Sequence, residues 1–372
     1  MVKPWELPWA NAPHQAVPST GGTWRAPAPL SMACKGALAG MGIQYLEPFA
    51  DGSARFHVQY DAALQTDIDY GDLENPAYRA MWIAGRLAAG KNAMASVPAA
   101  PQFMAILNLT EDSFSDGALG ADPVRNVRER AQCLADEQAA ILDLGAESTR
   151  PGAAPIADHQ QLARLLPTIE NLLPLGLPLS IDTRSAVVAK ACLDAGAAKI
   201  NDVSGLADPA MAPLIAARGC QIFTMHMRGT PADMQEHCHY RYLMGELADE
   251  MMQICCTAMD AGIEPDQLVL DPGIGFAKTA AQCREIIANL GTLRALGLPL
   301  LAGPSRKSFM TDTLPQYRPD QRDGGSTGAA ALCAAQGASF LRLHRGGHVW
   351  DAVRVAASCA FPSHNPQVAL QS

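Results

Sequence analysis

From residue 103 onward the chain repeats one pattern: a short apolar run, a polar residue that ends it, and a longer mixed stretch. Phe103–Leu107 ends in Asn108, Ala140–Leu142 in Asp143, Pro178–Ile181 in Asp182, and Ala198–Ile200 in Asn201-Asp202. Gln221–Met225 ends in His226, Leu268–Leu270 in Asp271, Leu298–Ala302 before Ser305-Arg306-Lys307, and Phe340-Leu341 in Arg342-Leu343-His344. Eight strands alternating with helical stretches predict an α/β fold, a (β/α)8 (TIM) barrel. Its active site gathers at the carboxyl ends of the strands. Helices are predicted over Asn126–Gln138, Ala186–Asp194 with Gly196 as its stop, Tyr242–Asp260 with Gly262 as its stop, and Gly328–Gln336. Gly196-Ala197 and Gly337-Ala338 mark tight returns into strands.

Residues 1–100 follow a different pattern. The first thirty are rich in Pro, which disfavours regular structure, and four of the five Trp (Trp5, Trp9, Trp24, Trp82) lie in this segment. Ile43–Pro48 and Arg55–Tyr60 flank Asp51-Gly52, and the alternation of Phe56, Val58 and Tyr60 predicts a hairpin. Asn75-Pro76 opens a helix that runs to about Ala89, with Gly90 as its stop and Lys91–Pro101 as a linker. The expected division is an N-terminal α+β extension of unknown role over 1–100, a barrel over 101–365 and a tail over 366–372. The extension has a thin core of its own. It is therefore expected to dock on the barrel, bury Trp82 and Tyr60, and supply no catalytic group.

The polar endings describe a ligand. Asp182, Asn201 and Asp271 suit a flat heterocycle rich in N–H groups, whereas Asn108, Arg306, Lys307, Arg342 and His344 suit phosphate oxygens. A heterocycle carrying a phosphate or diphosphate satisfies both sets. Composition narrows the partners further. A hydrophobic fraction of 48% with 17% charged residues fits a globular protein with a large core. A net charge of −9 argues against nucleic acid or an anionic membrane as a bulk partner. The start, Met1-Val2-Lys3-Pro4-Trp5-Glu6, has no apolar signal region, and no apolar run approaches the roughly 18 residues of a membrane span. The expected compartment is the cytoplasm, and the ten Cys, without a C-x-x-C pair, read as buried thiols.

Eight collinear segments carry a resemblance to a known family. They are Ile106–Gly117 (ILNLTEDSFSDG), Asp143–Gly152 (DLGAESTRPG), Ser180–Thr183, Ile200–Gly205 (INDVSG), Met225–Pro231 (MHMRGTP), Leu270–Thr279 (LDPGIGFAKT), Ser305–Ser308 (SRKS) and Arg342–His344 (RLH). In this order they resemble the dihydropteroate synthases over about residues 103–355. The resemblance implies a (β/α)8 barrel that condenses (7,8-dihydropterin-6-yl)methyl diphosphate with 4-aminobenzoate, uses Mg²⁺, and forms a homodimer through barrel helices. It implies a pterin site of Asp182, Asn201, Asp271 and Lys307, and a diphosphate site of Thr149, Arg342 and His344. It also implies an aminobenzoate pocket of Pro151, Phe276 and Ser308, with Asn108 as the contact to Mg²⁺. The loops at Asp112–Gly117 and Ser148–Gly152 would close over the site.

Several of these residues carry plainer readings. His226, between two Met, reads as a packed or orienting histidine rather than a base, Glu147 as a group that supports its neighbours, and Asp202 as an acceptor for backbone donors. His237-Cys238-His239 cannot converge on one ion in regular structure, and Gly273-Ile274-Gly275 lacks the spacing of a dinucleotide fingerprint. The chain departs from the family at Glu111, where Pro is usual, at Ala277, where Gly is usual, and at Arg345-Gly346-Gly347, where Asp-Val is usual. Arg345 is expected to point to solvent. Two other classes compete: a catalytically silent pterin-binding regulator, and a methyltetrahydrofolate-dependent methyltransferase. The diphosphate set disfavours the first, and Ser-Arg-Lys-Ser with Arg-x-His disfavours the second.

Overall fold

The structure, a computed structural model, describes residues 21–26, 43–48, 54–59, 101–109, 123–148, 152, 155–240, 243–296 and 298–361. Eight parallel strands form one sheet: β4 (Gln102–Asn108), β5 (Ile141–Gly145), β6 (Leu179–Asp182), β7 (Lys199–Asp202), β8 (Gln221–Met225), β9 (Leu268–Asp271), β10 (Leu301–Ala302) and β11 (Phe340–Leu343). Each strand from β4 to β8 pairs with the next in sequence, and β11 lies between β10 and β4. A single parallel bridge from Leu270 to Leu300 brings β9 against the start of β10, so the sheet curls into a nearly closed barrel. That curvature gives every strand an inner and an outer face.

That alternation sorts the apolar residues into two cores. Met104, Ile141, Phe223, Val269, Leu301 and Phe340 pack together as the barrel interior, with the Phe223 and Phe340 rings edge to face at 5.1 Å. Their sequence neighbours Phe103, Leu142, Ile222, Leu268, Leu270 and Leu341 join the outer core beneath the helices. Burying each such side chain contributes about 1.5–3 kcal/mol. Moving two residues along a strand keeps the inner face. Ile141 therefore puts Asp143 in the lumen, Val269 puts Asp271 there, and Phe340 puts Arg342 there.

Helices α1 (Pro123–Asp136), α2 (Asp158–Leu172), α3 (Ala186–Asp194), α4 (Met211–Arg218), α5 (Leu243–Asp260), α6 (Ala280–Asn289), α7 (Asp323–Ala335) and α8 (His348–Ala360) complete the described units. The α3 boundaries match the sequence expectation, with Ser185 accepting a hydrogen bond from the Val188 N–H at 3.3 Å as N-cap. Gly196 and Gly337 have the positive φ that the tight returns require. Helix α7 begins five residues before the expected Gly328. Glycines weaken the local helical signal at 324–325, but a Cβ on Gly325 would meet Leu314 at 2.8 Å and Met310 at 2.9 Å. Close packing, not helix propensity, selects Gly there.

In the N-terminal segment, β2 (Ile43–Pro48) pairs antiparallel with β3 (Ala54–Gln59), which is the expected hairpin. One correction applies: β1 (Gly21–Ala26) pairs with the other edge of β3, although a Pro-rich start disfavours strands. Its six residues, GGTWRA, contain no Pro, so each keeps its backbone donor. The expected helix after Asn75-Pro76, Tyr60, Trp82 and the tail lie outside the described residues.

Candidate active site

The lumen face at the carboxyl end of the strands gathers charge in two groups. In the first, Arg342 on β11 donates from Nε to Asp143 Oδ2 and from Nη2 to Asp182 Oδ2, both at 2.7 Å. Asn201 Nδ2 donates to the same Asp143 oxygen at 3.0 Å. Asp143 is fully buried, and its Oδ1 has no hydrogen-bond partner. Burial pushes the Asp182 carboxyl up to about 7; Arg342 opposes the shift and Asp143 reinforces it. For Arg342, burial alone would lower the pKa, but Asp143 and Asp182 together hold the guanidinium above its ordinary value.

The second group sits at β9 and β10. Asp271 Oδ1 accepts from the Gly273 N–H at 2.7 Å. Burial raises its pKa, with Lys307 opposing. Lys307 Nζ donates to the Ile274 carbonyl and stands 4.4 Å from the centre of the Phe276 ring. Burial brings this ammonium down to about 8, with Asp271 opposing. A Cβ added to Gly303 would lie 3.7 Å from Arg342 Cβ and 3.9 Å from Lys307 Nζ, so the two groups adjoin across Gly303. Phe276 itself packs with Val203, Met225, Met234 and Ala277.

Beside them, His344 Nδ1 lies 3.0 Å from Ser305 Oγ, and the His344 carbonyl accepts from Arg130 Nη2 at 2.6 Å. Burial, then Arg306 and Arg342, lower the His344 pKa to about 3, so the imidazole is neutral near pH 7. Asn108 is exposed at the end of β4. A Cβ added to Gly145 would lie 3.7 Å from Asn108 Oδ1 and 3.5 Å from Asp182 Cβ, which places Asn108 and Asp182 on the two flanks of Gly145.

The family described as "Pterin binding enzyme" matches residues 104–344. A dihydropteroate synthase of Synechocystis is 40% identical over 243 residues, covering 65% of this chain and 84% of its own. Among solved structures, the dihydropteroate synthase of Xanthomonas albilineans with 4-aminobenzoic acid superposes with a TM-score of 0.63 at 36% identity, covering 73% of this chain and 94% of its own. The same enzyme in complex with 7,8-dihydropteroate gives a TM-score of 0.61 at 32% identity, covering 70% of this chain and 93% of its own. The chain belongs to the dihydropteroate synthase family.

Within that family's frame, the structure gathers Asp182, Asn201, Asp271, Lys307, Arg342 and His344 at one end of the barrel. Ser308 is exposed at the start of a short 3-10 turn, next to Lys307. Thr149, Pro151 and the 112–117 loop lie outside the described residues. Arg306 reaches both oxygens of Asp323 with Nε and Nη2 at 2.7 and 2.9 Å, an ion pair of the same kind that Arg342 makes with Asp143 and Asp182. Asp202 accepts from the Ser204 and Leu206 N–H groups, as an acceptor for backbone donors should. Glu147 supports its neighbours through Arg184 at 3.0–3.1 Å and the Ile156 N–H at 3.2 Å. Arg345 is exposed.

Sequence reasoning assigned no role to Asp143 or Lys278 in this dihydropteroate synthase site. Asp143 carried a usable signal, being a carboxylate two residues beyond an inward apolar position. Lys278 carried a weaker one, a lysine directly before a helix cap. Its partner His226 is held in turn by Glu250, which sits within α5 and gives no sequence signal at all.

Proposed function

We infer that the protein condenses (7,8-dihydropterin-6-yl)methyl diphosphate with 4-aminobenzoate to give 7,8-dihydropteroate and diphosphate. The observation that carries the reading is the set of lumen-facing polar groups at one mouth: acceptors for the N–H groups of a pterin at Asp182 and Asp271, an amide at Asn201, and cationic donors at Lys307 and Arg342. The product and the arylamine seen on the Xanthomonas albilineans enzyme support it.

The carbon–oxygen bond to diphosphate breaks as the carbon–nitrogen bond to the arylamine forms, and the amine's proton leaves to solvent or diphosphate. Lys307 and Arg342 face the departing charge, where fixed cations lower the barrier most. Asp182 and Asp271 hold the ring and stabilise positive charge that develops on it. The arylamine is a weak nucleophile, so the reaction depends on the leaving group and the cationic character of the methylene; no covalent intermediate with the protein is required.

Mg²⁺ is the cofactor we propose for the diphosphate. Among the described residues no group of three His, Cys, Asp or Glu could hold a metal ion, so an ion here needs oxygens from elsewhere. Asn108 offers one neutral oxygen beside Asp182, and diphosphate and water can supply the rest, which suits a cation that keeps several waters. Such an ion would neutralise charge on the diphosphate. A homodimer is proposed through α7 and α8, which leave Leu332 and Val355 57% and 61% exposed. The cytoplasm is the proposed compartment, supported by the absence of bridges among the nine described cysteines.

The test is an incubation of the purified chain with the pterin diphosphate, 4-aminobenzoate and Mg²⁺, with dihydropteroate followed by mass spectrometry. Product whose appearance needs all three additions supports the reading and the cofactor. Pterin binding without product would reassign the chain as a silent pterin binder.

A further inference from the structure

Lys278 is 3% exposed and lies two residues beyond Phe276, directly before Thr279, the N-cap of α6. Its ammonium donates to the Phe276 carbonyl at 2.9 Å and to the His226 carbonyl at 3.4 Å, and sits 3.1 Å from His226 Nδ1. With Nδ1 accepting from an ammonium, the imidazole carries its proton on Nε2, which faces Glu250 Oε2 at 2.7 Å. Glu250 is fixed in turn by Arg228, whose guanidinium also reaches Glu246 at 2.7 Å and lies 3.9 Å from the centre of the Tyr240 ring.

The line of contacts runs from α5, through the loop after β8, to the loop after β9. The two loops touch as backbones: a Cβ on Gly273 would fall 2.1 Å from the His226 carbonyl oxygen, and the His226 N–H donates to the Asp271 carbonyl at 2.9 Å. Lys278 is thus a tether across a tight loop–loop contact, and its strongest bond ends on the carbonyl of the residue whose ring stands beside Lys307. An apolar side chain of the same length would fill the space without the cost of burying a charge. What only the lysine supplies is direction.

We propose that Lys278, His226 and Glu250 form a positioning relay that sets the Phe276 backbone, and with it the ring that walls the arylamine side of the site. This rests on the synthase reading given above. The relay touches neither pterin nor diphosphate, so its loss should be felt by one substrate and not the other. That selectivity separates it from a general support of the fold.

The experiment uses the full chain with Lys278→Met and, because that variant could fail to fold, Glu250→Gln, whose site is half-buried and keeps its volume. Steady-state constants are measured for both substrates, together with hydrogen exchange at the amides of 273–278. In each variant the KM for 4-aminobenzoate should rise about tenfold with kcat kept, the signature of lost binding contact to the wall ring and not of a misplaced reacting group. The kcat and the KM for the pterin diphosphate should stay within about twofold, and exchange in the loop should quicken about tenfold. The double variant should be no worse than the worse single one, since the residues act in series. Unchanged exchange in the loop, equal losses for both substrates, or additive effects would overturn the relay. If the wild-type chain makes no dihydropteroate, the synthase reading falls, and the exchange arm still decides whether Lys278 holds the loop.

Discussion

The two sides of the barrel mouth satisfy their charges differently. On the side of β5, β6, β7 and β11, side chains bind one another: Arg342 holds Asp143 and Asp182, and Asn201 leans on Asp143. On the side of β9 and β10, side chains bind the main chain: Lys307 ends on the Ile274 carbonyl, Lys278 on that of Phe276, and Asp271 on the Gly273 N–H. Contacts between side chains can be exchanged for a ligand by rotating a few bonds, whereas contacts to a strand-end backbone hold the frame in place. The first side is therefore the adjustable one, and the second is the wall against which a ligand is placed.

The sharpest way to break this comparison is Arg342→Met. It strands two buried carboxylates, a change that costs about 3–5 kcal/mol where no other cation can step in. The cost should depend on pH. Asp182 has a folded-state pKa raised to about 7, so its favourable contribution is complete below its unfolded value near 3.8 and is lost as pH rises through about 7. Removing Arg342 raises that folded value further. Thermal denaturation should therefore show a deficit that is largest at pH 8 and smaller at pH 5; an equal deficit at both would show that the pairing is not electrostatic.

Asp182→Asn tests the adjustable side for binding. Above pH about 7, where Asp182 is ionised, it replaces a charged acceptor by an amide, and charged hydrogen bonds contribute about 1.5–3 kcal/mol, so pterin affinity at pH 8 should fall roughly tenfold to a hundredfold. Calorimetry with a pterin ligand checks it, and 4-aminobenzoate affinity should hardly move. On the wall side, Lys307→Met leaves the Ile274 carbonyl without its donor while Asp271 keeps the Gly273 N–H. Its stability cost should be about 1–3 kcal/mol, below that of Arg342→Met when both are unfolded in denaturant. The reverse order would erase the distinction between the two sides.

The smallest effect is expected at Ala277, which lies in the left-handed region at φ +50 and is fully buried. Glycine would relieve about 1–2 kcal/mol of backbone cost. It would also lose a buried methyl worth about 0.8 kcal/mol and add about 0.5–1 kcal/mol of chain entropy. Ala277→Gly should therefore unfold within about 0.5 kcal/mol of the parent. A loss above about 1.5 kcal/mol would mean that the methyl, packed with Phe276 and Met225, sets the wall more than the backbone does.

What the sequence determined by itself is the arrangement within each strand. The period of two, read against inward residues such as Ile141, Val269 and Phe340, already aims Asp143, Asp271 and Arg342 at one lumen, and Ser185 and Gly196 bound α3 from within its own segment. These follow from local geometry, in which each residue's direction depends only on its neighbours. Only the tertiary structure decided which charge meets which. Arg306 is claimed by Asp323, seventeen residues on, Arg342 by carboxylates from β5 and β6, and Lys278 by a histidine that is itself held by a carboxylate on α5. A charged side chain's partner depends on the curling of the sheet that brings distant strand ends within about 3 Å, the range over which a hydrogen bond forms.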